Sequence, residues 1–181
     1  MNYYKNLFIL FSAIFIFLTS LLFTGENDHA AHAADLQKAT QLIEPCNLIS
    51  KTEAESVMGT ALSEGQYTEN KITGQKICLY EAADKNSFDF LQISLTQNKF
   101  IPPNILSSGQ NAKTIFTSIK DAFPDREDIN KIGDDAFIAP PGIHILKGDC
   151  YLSIGAGNIK RNRDKLISAG VKAMENIEAS F

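Results

Sequence analysis

The chain has 181 residues, a formal net charge of −4 and no tryptophan. That balance offers no strongly basic face, so a nucleic-acid partner is not expected. The length suits one domain once an N-terminal targeting segment is set aside, and neither an internal repeat nor a low-complexity tract interrupts it.

Residues 1–33 carry the order of an export signal. Lys5 precedes an apolar run from Leu7 to Phe23, and the small residues Ala30-Ala31-His32-Ala33-Ala34 follow. Ala31-His32-Ala33 satisfies the small-x-small rule, which places cleavage after Ala33. The run is 17 residues long, between the roughly 7–15 of a signal core and the about 20 of a membrane-spanning helix. The alternative is therefore an uncleaved anchor over residues 7–23, against which the polar Gly25-Glu26-Asn27-Asp28 speaks. The first cysteine is Cys46, too far on for a lipidated N-terminus. On either reading the remainder, residues 34–181, is extracytoplasmic, periplasmic or secreted. Membrane contact is expected only through an uncleaved leader. His29 and His32 have metal-like spacing, but no third histidine or cysteine cluster joins them, so no metal is expected.

Without residues 1–33 the chain keeps 148 residues with 16 basic and 19 acidic side chains, a charge of −3. A chain of that size buries about 68–70% of its unfolded surface and needs no metal or disulfide merely to fold. Three cysteines remain, Cys46, Cys78 and Cys150, and an oxidising compartment makes one disulfide the default. Of the three possible pairings Cys46–Cys78 is preferred, because it ties an N-terminal helical segment to the first strong strand. Cys150 is then a small buried apolar residue. Three buried free thiols are the alternative, and the lack of a Cys-x-x-Cys spacing disfavours a redox pair.

Residues 34–44 are expected to form a short helix stopped by Pro45. A second helix follows, with Thr52 and Glu55 in capping-box spacing, Ser50 and Glu53 as a second frame, and Gly59 as its left-handed stop. Residues 60–75 read as a loop or weak edge strand, and Lys76–Glu81 as a strand. After a turn at Asp84–Ser87, Phe88–Thr96 is the clearest strand. Leu91, Ile93 and Leu95 share its core face, and Gln92, Ser94 and Thr96 are expected on a solvent face. That alternation implies an antiparallel sheet.

Pro102-Pro103-Asn104 breaks the chain. Residues 111–123 read as a helix with Ile115, Phe116, Ile119, Ala122 and Phe123 at three-and-four spacing, stopped by Pro124. Residues 127–139 hold one or two strands, and Pro140-Pro141-Gly142 is another break. Ile143–Ile154 reads as a hairpin with Gly148 first in a type II′ turn, pairing Lys147 with Cys150, Ile145 with Leu152 and Ile143 with Ile154. Ile143, Ile145, Cys150, Leu152 and Ile154 then share one face, and His144, Leu146, Tyr151 and Ser153 the other. A final helix over 161–179 carries a stripe of Ile167, Gly170, Val171, Met174, Ile177 and Phe181. Gly170 costs about 1 kcal/mol against alanine in a helix interior, which points to a close approach to the sheet. The element order predicts an α+β domain, helices packed on an antiparallel sheet.

No catalytic motif stands out, and no cofactor is implied. Cys150 and His144 point to opposite faces in the preferred hairpin register, which excludes a nucleophile–base pair, whereas a three-residue loop would put them on one face; His144 reads as a half-exposed strand residue. Asp125-Arg126-Glu127-Asp128 lacks the oxygen alternation of a calcium loop. Asp134-Asp135 is explained by turn chemistry, and is also the carboxylate pair a secreted hydrolase would use. Lys160, Arg161, Arg163 and Lys165 cluster at the start of the last helix, where cations oppose the helix dipole. They form either a solvated face or a patch for an anionic partner. Tyr67, Tyr80 and the Pro102-Pro103 loop are candidate pocket walls.

The segment Glu44-Pro45-Cys46-Asn47-Leu48-Ile49-Ser50 through Met58-Gly59, with Cys78-Leu79-Tyr80 after it, resembles small bacterial exported domains of unknown function. Those open Pro-Cys-x-Leu-Leu/Ile-Ser/Thr and carry a second cysteine before an aromatic strand. The resemblance covers residues 44–80 by motif and the rest by element order. It implies a PsbP-like α/β sandwich with no enzymatic assignment, and supports the Cys46–Cys78 bridge. The chain departs from the pattern by lacking a lipobox, by having Tyr80 where tryptophan is common, and by adding Cys150. The expectation is an exported, non-enzymatic module that binds a small ligand or a cell-envelope protein. A secreted hydrolase or a membrane-tethered accessory subunit is the alternative.

Overall fold

The computed structural model describes residues 42–180. The leader, His29, His32, residues 34–41 and Phe181 lie outside the described residues. The described elements run α1 (Pro45–Leu48), α2 (Lys51–Met58), β1 (Gln66–Asn70), β2 (Gln75–Glu81), β3 (Phe90–Gln97), a 3-10 turn (Asn98–Phe100), α3 (Pro103–Ser107), α4 (Ala112–Ala122), β4 (Glu127–Ile129), β5 (Asp135–Ala139), β6 (Gly142–Lys147), β7 (Cys150–Gly155) and α5 (Ile159–Ser180). They belong to one unit. The seven strands form a single antiparallel sheet in the order β1-β2-β3-β7-β6-β5-β4. The architecture is α+β, as the element order predicted.

Pro45 starts a helix instead of stopping one. It occupies the first turn of α1, where its missing N–H and fixed φ cost nothing, and Glu44 before it is extended. α2 uses the second capping frame. The Ser50 hydroxyl accepts from the Glu53 N–H and the Glu53 carboxylate accepts from the Ser50 N–H. Glu55, which the first frame would have used, instead accepts from the Leu62 N–H at 3.0 Å. Gly59 closes the helix at φ 68°.

The β6–β7 hairpin has the predicted register, Lys147 opposite Cys150, Ile145 opposite Leu152 and Ile143 opposite Ile154. Gly148 takes φ 53° and Asp149 does not follow it to positive φ, as a type II′ turn requires. Gly142 is forced for a different reason: a Cβ there would sit 1.8 Å from the Ile154 carbonyl oxygen.

Alternation divides the strands between two faces. On the first, Leu91, Ile93, Leu95, Ile143, Ile145, Leu152 and Ile154 build the main core under α1, α2 and α5. Burying each such side chain contributes about 1.5–3 kcal/mol. The Cys46–Cys78 disulfide pins α1 to β2 on this face, and the Tyr80 hydroxyl donates to the Ile49 carbonyl at 2.7 Å. Cys150 is buried here as a free thiol. α5 lays down Leu166, Ala169, Gly170, Ala173, Met174 and Ile177. Val171 is 43% exposed, so the stripe is rotated from the one read in the sequence. The small Ala169, Gly170 and Ala173 let the helix approach. A Cβ on Gly170 would lie 3.1 Å from the Cδ1 atoms of Ile143 and Ile145.

The second face carries its own smaller core. Ala112 and Phe116 of α4 pack on Phe137, Ala139, Leu146 and Tyr151. Asn111 caps that helix, its side chain accepting from the Thr114 N–H at 3.0 Å. The polar side of β3 is thus not a solvent face: Ser94 and Thr96 are buried.

Candidate functional site

The second face splits into two halves because α4 is too narrow to cover it. A helix with its side chains is about 10–12 Å across, and neighbouring strands are about 4.8 Å apart. α4 packs against β6 and β7, where the side chains are apolar. Beyond it, toward β1, rows of uncharged polar residues run across the strands. One row sets Ile77 beside Ser94, Ser153 and His144; the next sets Gln75 beside Thr96, Tyr151 and Leu146. Between these rows and the wall formed by Ile115 and Ile119 lies a groove of about 530 Å³, within the ~300–1,000 Å³ of small-molecule sites. No Asp, Glu, Lys or Arg lines it.

A histidine–tyrosine pair forms the end of the groove beside α4. His144 is 2% exposed, not half-exposed as expected from its strand, because α4 and its aromatic neighbours close over it. Its ring stacks on Phe137 at 4.6 Å between centroids and 8° between planes. His144 Nε2 lies 3.2 Å from the Ala139 carbonyl oxygen, and Nδ1 lies 2.7 Å from the Tyr151 hydroxyl. A carbonyl only accepts, so the hydrogen is assigned to Nε2, and Nδ1 accepts from Tyr151 O–H. Burial lowers the His144 pKa from 6.5, its backbone partners opposing. Burial pushes the Tyr151 phenol up to about 12, the Ser153 hydroxyl offsetting only part. Both groups are neutral at pH 7. The Tyr151 proton is committed to His144, and the Ser153 hydroxyl donates to the Tyr151 oxygen.

The residues singled out in the sequence are dispersed. Cys46 and Cys78 are joined. Cys150 and His144 sit on opposite faces, as the hairpin register required. Asp134 accepts from the Gly148 N–H at 2.6 Å, and Asp135 holds Lys120 at 2.8 Å through both oxygens. Neither carboxylate faces the groove. Of the basic cluster, Arg163 is bound by Glu127, Lys165 donates to the Met58 carbonyl, and Arg161 lies 3.7 Å from Asp89. Lys160 sits on a second hollow of about 410 Å³ between the ends of α4 and α5. There Arg126 is spent on the carbonyls of Lys120 and Phe123 and on Asp128, and Glu127 on Arg163. Tyr80 belongs to the main core and Tyr67 to the exposed edge strand, so neither walls the groove. Among the described residues no group of three or more His, Cys, Asp or Glu is placed to hold a metal ion.

Sequence reasoning passed over Gln75, Gln92, Ser94 and Thr96. One signal could have found them: a true solvent face of this length usually carries Lys or Glu, and Phe90–Gln97 carries no charge. Among the described residues no helix is long and apolar enough to cross a membrane. No protein-family model, curated protein or solved structure matches the chain.

Proposed function

We propose that this chain is an exported binding module of the cell envelope, and that the uncharged groove on the second sheet face is its ligand site. The observation that carries the reading is the division of one face into an apolar half sealed by α4 and a polar half left open. Folding alone does not need Ser94, Thr96 and Ser153 on a sheet surface beside a helix; apolar residues there would have extended the smaller core. The N-terminal signal pattern and the Cys46–Cys78 bridge support an extracytoplasmic site of action. The same bridge and helices on both faces suit the resemblance to exported PsbP-like domains.

The groove reads as a binding site rather than a catalytic one. Its one imidazole lone pair is occupied by Tyr151, and the carboxylates available to a hydrolase lie elsewhere.

The test is native mass spectrometry of the protein purified from its own host. A retained small molecule that is lost from Gln92→Trp, with the circular dichroism unchanged, is the expected result. A mass carried equally by both forms sinks the reading, and so does a preparation that carries nothing and whose groove amides respond to no added ligand.

A further inference from the structure

The geometry points to a neutral, polyhydroxylated chain, an oligosaccharide, as the ligand of this groove. The inference rests on the groove being the binding site. Charge decides first. An ionic ligand would leave water for a lining that holds no counter-charge, and burying an unpaired charge is strongly disfavoured. An acyl chain fares no better, since it would strip water from Ser94, Thr96 and Ser153 without replacing their hydrogen bonds.

The lining's polar groups are of the kind that suits sugar hydroxyls. Carboxamides donate and accept through one planar group, and hydroxyls do both through one atom, so each can meet a partner that is itself both donor and acceptor. Gln75, Gln92 and Gln110 supply the carboxamides. Gln92 Nε2 lies 3.4 Å from the Ser94 hydroxyl, so amide and hydroxyl are neighbours along β3. Opposite these, Ile115 and Ile119 present an aliphatic wall for the C–H face of a ring.

The groove's length and its polar groups both favour a chain of rings. It crosses β2, β3, β7 and β6, about 14 Å at ~4.8 Å per strand step. An extended peptide, by contrast, takes its hydrogen bonds from the backbone of a sheet edge. Here the backbones of β2, β3 and β7 are already paired on both sides, and only side chains face the groove.

The experiment titrates the ¹⁵N-labelled protein, as its host releases it, with cellotetraose, maltotetraose and chitotetraose. Tetragalacturonate, palmitate and tetra-alanine are the counter-probes. Expected are saturable shifts of the Ser94, Thr96 and Ser153 amides with at least one neutral tetrasaccharide. Tetragalacturonate and the Gln92→Trp variant should each bind about tenfold weaker or worse. If a counter-probe moves these amides and no neutral sugar does, the ligand class falls and the groove stands. If no probe moves them but a mass retained from the host is lost from Gln92→Trp, the outcome is the same. If no probe moves them and nothing is retained, both fall.

Discussion

The two faces of the sheet are made by the same strands and serve opposite ends. The first is sealed by three helices, crossed by a disulfide and filled with branched aliphatic side chains. The second is sealed over half its width and then changes character to serine, threonine and glutamine, without a single charge lining the hollow. Along β3 the change happens between adjacent residues, with Ile93 and Leu95 in the core and Ser94 and Thr96 under the groove. One alternating strand therefore holds the core with its odd positions and floors the open groove with its even ones. If the groove is the binding site proposed above, stability and binding are separable by residue parity.

Substitutions should reveal that parity. Leu152→Ala, on the sealed face and 1% exposed, should lower the unfolding free energy by about 2–5 kcal/mol, measured by urea titration. Ser153→Ala, its neighbour on the groove side, should change it by about 0.5 kcal/mol or less. Equal losses at the two positions would break the comparison. Cys78→Ala removes a bridge that spans 32 residues and should cost about 2–4 kcal/mol; adding reductant to the native protein should reproduce most of that loss. Gly170→Leu pushes a side chain into Ile143 and Ile145 and should cost about 1–3 kcal/mol, with ligand binding on the far face retained.

The pH dependence sharpens the same contrast. His144 is held neutral in the fold, its pKa below 6.5, while in the unfolded chain it titrates near 6.5. The unfolded state therefore binds more protons between those two values. Its contribution to stability is complete above pH ~6.5 and is lost as the pH falls toward the folded value. The depressed carboxyls of Glu53, Glu127 and Asp128 act in a lower window, where their contribution is lost as the pH falls below the usual carboxylate range. Urea midpoints measured from pH 7.5 to 5 should show a slope of at most one proton, and His144→Asn should flatten it. This is the smallest of the expected effects.

Local signals made much of the fold legible. The Gly148-Asp149 turn fixed the β6–β7 register, Asn111 and Pro124 bounded α4, and Gly170 marked the close approach of α5. Each depends on residues within a turn or two of one another. The groove was not legible, because its existence depends on β3 and β7 being neighbours across more than fifty residues of chain and on where α4 comes to rest. The same long-range closure buried His144. The missed N-terminus of α1 has a simpler cause. Proline marks both ends of helices, and the extended conformation of Glu44, which decides the matter, is invisible in the sequence.

The strand order has a kinetic consequence. β1–β2–β3 and β4–β5–β6–β7 are two meanders built from hairpins of short loop, and only the β3–β7 pairing stitches them together. Each meander can zip locally, whereas the stitch must close a long loop first, the slow kind of step in folding. Ser94 and Ser153 face each other across that stitch. A molecule resting on both would act as a clasp between two halves that form separately. Amide exchange along Leu95 and Leu152 should slow when the clasp is in place, while exchange inside each meander is little changed.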